Sequence, residues 1–400
     1  MSKQSFDDEV VNFIDKYLDW IIFIFLVVMS VYVRMKYMPL VDVPGWSDYK
    51  EFLQPWVEHY KDLGFVRGLG EGVGDYYIPY NIFLAALAQT KINPIYGIAF
   101  FSCLFDYLMA IVIYMIIKTI RNKDGLSSMF SEPYDKCFAI ALINLPFVIV
   151  DSALWKQYDS IYCTFLLLSI FFWLNEKPNL TFIAVGLAFS FKFQTIFLVP
   201  FYLIAYYIKR NFSILHTLWV PFMYLVLGIP AILCGRSVTN TYGIYYRQIE
   251  ATGGETVVSF PSIWFIGFEE KMFRNIAVFI TLMVFAMSLL FVQKYLKDKK
   301  INSVVMIHIA AWSVMTAVEF LPGMHERYDY LAVLLVAFIS VLYNKNLLIP
   351  ALIMLISNNF SYGRLLIQRG AELYPFVAIC YFVAYILVSY DLYKQVSNIN

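Results

Sequence analysis

Residues 45–56 read GWSDYKEFLQPW, and they follow directly on an apolar run, 18–38, long enough to cross a bilayer. At about 100° per residue, Tyr49, Phe52, Leu53, Trp56, Val57 and Tyr60 fall within an arc of about 140°. Lys50, Glu51, Gln54 and Glu58 take the opposite side. The pattern predicts an amphipathic helix lying on the outer membrane surface, its aromatics in the lipid boundary. Pro55 is expected to kink or limit that helix. Asp48 opens it with Glu51 three residues on, the arrangement of an N-cap that accepts free backbone N–H groups. A carboxylate held ionised at a helix N-terminus is also placed to take a proton from a hydroxyl. The two readings of Asp48 are compatible.

The rest of the chain supports a membrane setting. Of 400 residues, 60% are hydrophobic and 15% charged, against about half and about a quarter in soluble domains. Tyr (31) and Phe (36) are abundant, as a chain crossing many lipid interfaces requires. A net charge of +1 offers no basic surface for nucleic acid. The N-terminal MSKQSFDDEVVNFIDKYLDW lacks the basic n-region and cleavage site of a signal peptide, so the first span is expected in the mature protein. Five scattered Cys carry no CxxC or Cys/His spacing, which supports neither a disulfide framework nor a zinc site.

Apolar runs fall near 18–38, 94–117, 136–150, 160–174, 179–191, 195–208, 214–234, 275–293, 303–321, 329–343, 346–357 and 373–390. The expectation is an all-α polytopic protein of roughly twelve transmembrane helices, one domain over 1–400, with no soluble domain left over. An N-terminus on the cytoplasmic side puts the short basic loops KTIRNKDG, IKRN, KYLKDKK and NKN inside. The loops 39–93 and 235–274 then lie outside and are expected to cover a site together. Almost every unusual polar group falls on that outer side, while the spans are nearly free of Asp and Glu apart from Glu319.

Asp75, in GEGVGDYYIPYNIF, repeats the Asp-Tyr pair after a Gly-rich turn, as a cap or as a second site carboxylate. In VDSALWKQYDSIY, Asp159 is placed to cap the next helix, and Lys156 to neutralise Asp151. Trp155 and Gln157 suit stacking on and bonding to a sugar, although Trp also serves as an interfacial anchor. Lys192 and Gln194 interrupt an apolar stretch where a Lys costs roughly 3 kcal/mol at mid-bilayer depth. A hairpin or a polar cavity relieves that cost, and a phosphate is a natural partner. FLPGMHERYDYL sets His325, Glu326 and Arg327 in one turn. HER lacks the second His of a zinc helix, so no metal is expected, and His325 and Arg327 read as donors to an anion, unless Arg327 merely pairs with Glu326 or Asp329. His308, alone in a span, reads as a core histidine. ATGGE, 251–255, reads as a flexible turn beside Tyr245, Tyr246 and Trp264, which suit sugar stacking.

Together SDYKEFLQPW, GDYYIPY, ALWKQYDSIY, GLAFSFKFQTIFLVP, YYRQIE…FPSIWFIG and LPGMHERYDYL resemble the GT-C class of membrane glycosyltransferases. More narrowly they look like bacterial relatives of the GPI-anchor mannosyltransferases. The resemblance covers most of the chain. It implies a plasma-membrane enzyme with its site on the outer face, taking a hexose-type sugar from a polyprenyl-phosphate carrier. The sugar passes, with inversion, to a glycan or lipid-linked acceptor in cell-envelope polysaccharide synthesis, with no cofactor. The family's base maps onto Asp48, with Asp75 second. Cations for the leaving phosphate are Lys192, Arg327, His325 and Arg247. Trp155, Gln157, Asp159, Gln194, Tyr246, Trp264 and Glu326 are candidate substrate contacts. Two rivals stand beside it: an outer-face glycan polymerase, and a transporter or flippase, which predicts broken helices and coupling carboxylates at mid-membrane.

Overall fold

The computed structural model describes residues 3–41, 47–251, 254–297 and 299–398. Gly45 and Trp46 of the opening stretch, and Thr252 and Gly253 of ATGGE, lie outside the described residues.

The described residues form helices and turns, with no strand among them. The first helix, α1 (Lys3–Tyr37), runs 35 residues, and its large apolar side chains, among them Phe13, Phe25 and Val28, are exposed as lipid-facing groups would be. Then come a π-helical turn (Tyr49–Leu53), α2 (Gln54–Leu63), α3 (Phe65–Glu71) and α4 (Ile78–Ala88). Pro55 sits in the first turn of α2, where its missing N–H costs nothing, and so marks the junction with the π turn.

The apolar stripe of the opening stretch does not meet lipid. Tyr49, Leu53, Trp56, Val57 and Tyr60 are buried, packed with Tyr80, Leu84 and Ala85 of α4 and with Ile98 and Ile161. Of the six, Phe52 alone is exposed. Periodicity reveals that a helix has an apolar face, and the partner is settled by whatever the rest of the chain presents.

Next follow α5 (Pro94–Asp124), α6 (Asp135–Ile143), α7 (Pro146–Ile149) with a second π turn (Val150–Leu154), α8 (Asp159–Leu174) and α9 (Pro178–Phe191). A 3₁₀ turn (Phe193–Leu198) leads into α10 (Val199–Lys209), α11 (Trp219–Leu233), α12 (Val238–Tyr242) and α13 (Ile244–Ala251). The chain closes with α14 (Arg274–Tyr295), α15 (Ser303–Phe320), α16 (Tyr330–Leu342), α17 (Leu348–Ile367) and α18 (Tyr374–Ser397).

All twelve expected apolar runs fall on helices, but six described helices are long and apolar enough to cross a membrane, or seven if the pair bent by 59° between α6 and α7 counts as one. Other runs form helices of 10–17 residues, such as α8, α9 and α16. These sit in the interior: nearly every side chain of α16 and most of α8 are buried. Facing protein, they need not match the lipid thickness that sets the length of α1 or α14.

One expectation about the spans is corrected. Asp106, inside the run 94–117, is a further in-span carboxylate, fully buried and 2.9 Å from Nε of Arg34. Arg34 also donates to Ser30 Oγ (2.6 Å), Asn144 Oδ1 (3.1 Å) and the Ile143 carbonyl (2.6 Å), while Ser152 Oγ donates to Asp106 (2.6 Å). Each buried charge is thus paired and hydrogen-bonded, the condition under which it is tolerated. The network fastens α1 to the bundle and pins the second π turn through Ser152.

Helix directions define two ends. The Trp264 indole donates to the Phe320 carbonyl (3.1 Å), and the amide of Ile263 to Glu319 (2.9 Å), so α15 finishes, and α16 begins, beneath the 254–266 loop. Amides of Ser259 and Phe260 donate to the Met324 carbonyl (3.2 and 3.0 Å). The two long loops touch as well: Gln248 donates to the Asp75 carbonyl (2.7 Å) and Arg236 to that of Leu69 (3.0 Å).

Candidate active site

Asp48 is nearly buried, and its backbone is already helical (φ −58°, ψ −26°). Its carboxylate makes no capping bond. Instead Oδ2 accepts from the Gln157 amide and from Nη1 of Arg327 at 3.3 Å. The capping reading therefore gives way to a tertiary one: a carboxylate aimed at residues 109 and 279 positions away.

Gln157 reaches Asp48 because of what precedes it. The π turn Val150–Leu154 ends at Trp155, and Lys156 takes a left-handed backbone (φ +59°), which reverses the chain and sends Gln157 inward. Lys156 does not neutralise Asp151. Its ammonium donates to the carbonyls of Leu154 (2.9 Å), Ala153 (3.3 Å) and Leu40 (2.5 Å), closing the π turn and tethering the segment that leaves α1. Burial lowers the Lys156 pKa to about 8. Asp151, fully buried, accepts from the Tyr362 hydroxyl at 3.3 Å.

Arg327 sits at the centre. Its Nε lies 3.0 Å from Oε1 of Glu326, Nη1 reaches Asp48, and the guanidinium lies 4.9 Å from the centre of the Trp155 ring. Arg327 thus pairs with Glu326, one of the two partners its sequence neighbours offered, and it also faces Asp48. Trp155 is 4% exposed and rests edge-on against Tyr362, so it is an interior platform and no membrane anchor. Burial works against ionising Glu326, but Arg327, His325 and the Ser259 hydroxyl outweigh it and hold its carboxyl below the ordinary range. Burial likewise opposes the Arg327 charge, and Glu326, Asp48 and Asp159 more than restore it.

Lys192 ends α9 in extended backbone (φ −148°) at the break before the 3₁₀ turn, the expected interruption of the apolar stretch. Its ammonium pairs with Asp159 and lies 5.2, 5.4 and 5.5 Å from the ring centres of Tyr158, Tyr162 and Tyr328. Asp159 does not cap α8: Tyr158 holds that position, and Asp159, in the first turn, turns to Lys192. This tyrosine cage escaped sequence reading. Its legible signal was Tyr158 and Tyr162 four apart on one helical face. Gln194 is half-buried in the 3₁₀ turn.

His325 has a side chain 35% exposed, 3.9 Å from Glu326. Burial lowers its pKa against the pull of Glu326, with Arg327 and Lys192 adding to the decrease. Asp75 is exposed, behind Gly74 (φ +70°), where any Cβ would collide with the Trp56 ring. The surrounding protein and the charge of Asp48 raise the Asp75 pKa. Its neighbour Tyr76 packs on Trp56, Tyr80 and Tyr158.

Other predicted residues have different engagements. Arg247 donates to the carbonyls of Thr239 (3.3 Å) and Asn240 (2.9 Å). Tyr246 is 66% exposed. Tyr245 is buried, its hydroxyl on the Phe189 carbonyl (2.5 Å), and Trp264 is buried on that of Phe320.

No family model and no curated protein matches this chain. Among solved structures, it is similar to the crystal structure of ArnT from Cupriavidus metallidurans bound to undecaprenyl phosphate. The TM-score is 0.54 at 12% identity, over 94% of this chain and 77% of that one. The two chains share a fold. At that identity the likeness speaks for the architecture, and the chemistry has to be argued from the cluster itself.

Proposed function

We propose that this chain is an inverting glycosyltransferase that moves a hexose-type sugar from a polyprenyl-phosphate carrier to a glycan or lipid-linked acceptor. The observation that carries the reading is one carboxylate, Asp48, paired with Arg327, with a second cation, Lys192, caged by Tyr158 and Tyr328, the chain neighbours of Gln157 and Arg327 that both reach Asp48. The likeness to a structure that holds undecaprenyl phosphate supports the same class of carrier lipid.

The chemistry fits this inventory. Asp48 takes the proton of the acceptor hydroxyl as its oxygen attacks the anomeric carbon from the face opposite the phosphate. The bond from the anomeric carbon to the phosphate oxygen breaks, and the electron pair leaves with the polyprenyl phosphate. That leaving group needs cations more than a proton, and Arg327 and Lys192 supply them. Gln157 holds the Asp48 carboxylate in place, while Asp75, with its raised pKa, is the second candidate for proton transfer. The site faces the outside of the plasma membrane in this reading.

Purified protein given a polyprenyl-phosphate sugar and an acceptor tests the proposal through released polyprenyl phosphate. Asp48→Asn is expected to fold and to lose about a hundredfold or more in turnover. Near wild-type turnover would move the base to Asp75, and no transfer by the unaltered protein with any acceptor would remove the reading.

A further inference from the structure

The end of α15 opposite the Asp48 cluster opens on a second polar site. A cleft of about 410 Å3 opens between the loop after α5, the start of α15, the turn after α16 and the last turns of α18. Five carboxamides line it, those of Asn302, Asn344, Asn346, Gln395 and Asn398. Leu126 and Val304 give it an apolar margin.

Asp391 organises this wall. Its carboxylate accepts from the amide nitrogens of Asn344 (2.6 Å), Gln395 (2.5 Å) and Asn346 (3.3 Å). With those nitrogens committed, the amide oxygens of Gln395 and Asn346 point away from Asp391 as acceptors. Tyr343 also lines the cleft. Lys394 stands exposed on the rim.

This is an inventory for hydroxyl groups. Each carboxamide nitrogen carries a second N–H, and while the Asn302 and Asn344 oxygens are taken by the amides of Val305 and Asn346, those of Gln395 and Asn346 are acceptors, so the wall donates and accepts as a ring with adjacent hydroxyls requires. The apolar margin suits the ring's C–H edges, and Lys394 a phosphate beside it. The position matters too. Helix α15, 18 residues, runs from this cleft to the Asp48 end, about 27 Å at 1.5 Å per residue, close to the bilayer's hydrocarbon thickness. The cleft therefore lies at headgroup level, in the leaflet opposite the Asp48 cluster.

We infer that the cleft binds a polyhydroxylated ring carried on a phosphate, either the headgroup of a sugar- or inositol-bearing lipid or the free ring phosphate of the same chemistry. This does not rest on the transferase reading. The protein in nanodiscs containing phosphatidylinositol or, at equal charge without a ring, phosphatidylglycerol is assayed for retained lipid by native mass spectrometry. Free inositol 1-phosphate is titrated in parallel. Phosphatidylinositol is expected to be retained at least tenfold over phosphatidylglycerol, or inositol 1-phosphate to bind directly. The arm that responds identifies the source. Asn346→Leu and Lys394→Ala, both at exposed positions, are expected to remove that binding with the melting temperature unchanged. Equal retention of the two lipids with no binding of inositol 1-phosphate overturns the inference, as does ring binding indifferent to both variants.

Discussion

The turn 321–329 and the break after α9 each bring one cation to the candidate site, and they hold it differently. Arg327 is held by acids on two sides and an indole on the third. Lys192 is held by one acid and three tyrosine rings. A planar guanidinium with five donors can serve several carboxylates at fixed angles and stack at the same time, whereas an ammonium is a point charge that a ring of π faces accommodates from any direction. The first arrangement should therefore be intolerant of change and structural as well as chemical. The second should respond most visibly in donor binding, with a stability cost from the single acid it pairs.

The strongest attack on this contrast is Arg327→Ala. It leaves Glu326 and Asp48 without their cation, and removing one partner of a buried pair costs about 3–5 kcal/mol. A large fall in melting temperature in detergent or nanodiscs is expected, with activity lost, and Arg327→Lys should recover little of either. A variant as stable as the parent would show that the acids do not depend on it.

Lys192→Gln comes next. Asp159, buried in the first turn of α8, loses its ammonium partner and keeps only the helix dipole, so a fall in melting temperature is expected beside the kinetic effect. The KM for the donor should rise about tenfold while the acceptor KM holds, the pattern of a lost charge-assisted contact. An equal rise for both substrates would place Lys192 outside the phosphate site.

The contrast also has a pH signature. Because the Glu326 pKa is held below its unfolded value, its contribution is present above about 4.3 and is lost as pH falls through the lower folded value. Glu326→Gln should flatten that acid limb of a stability profile, and an unaltered limb would assign it to another carboxylate. Lys156 supplies the alkaline counterpart. Its folded pKa, about 8, lies below the ordinary 10.5, so between those values the unfolded chain binds more protons and stability rises with pH. Lys156→Met should remove that rise, and a slope that survives would refute its origin.

The stretch around Asp48 illustrates how far local sequence reaches. Its apolar arc, its acidic opening and the stop at Pro55 were all legible, because they repeat with the period of a helix. The burial of that arc against α4 was not, since α4 comes later in the chain and nothing in residues 48–60 encodes its position. Lys156 shows the same limit. An ammonium five residues from Asp151 looks like its partner in sequence, but a left-handed backbone at Lys156 turns it to carbonyls.

Composition and hydrophobic period by themselves determined an all-helical membrane chain and the place of every apolar run, because each of those properties is local. They also singled out Asp48, Lys192 and Arg327, since ionisable groups beside apolar runs are costly and so conspicuous. Tertiary structure alone decided which charges meet: Arg34 with Asp106, Lys192 with Asp159, and Asp48 with both Gln157 and Arg327. It decided too which helices are short because they face protein. Those outcomes depend on distances between residues far apart in the chain, fixed only once the helices have packed and each buried charge has found the nearest group able to balance it.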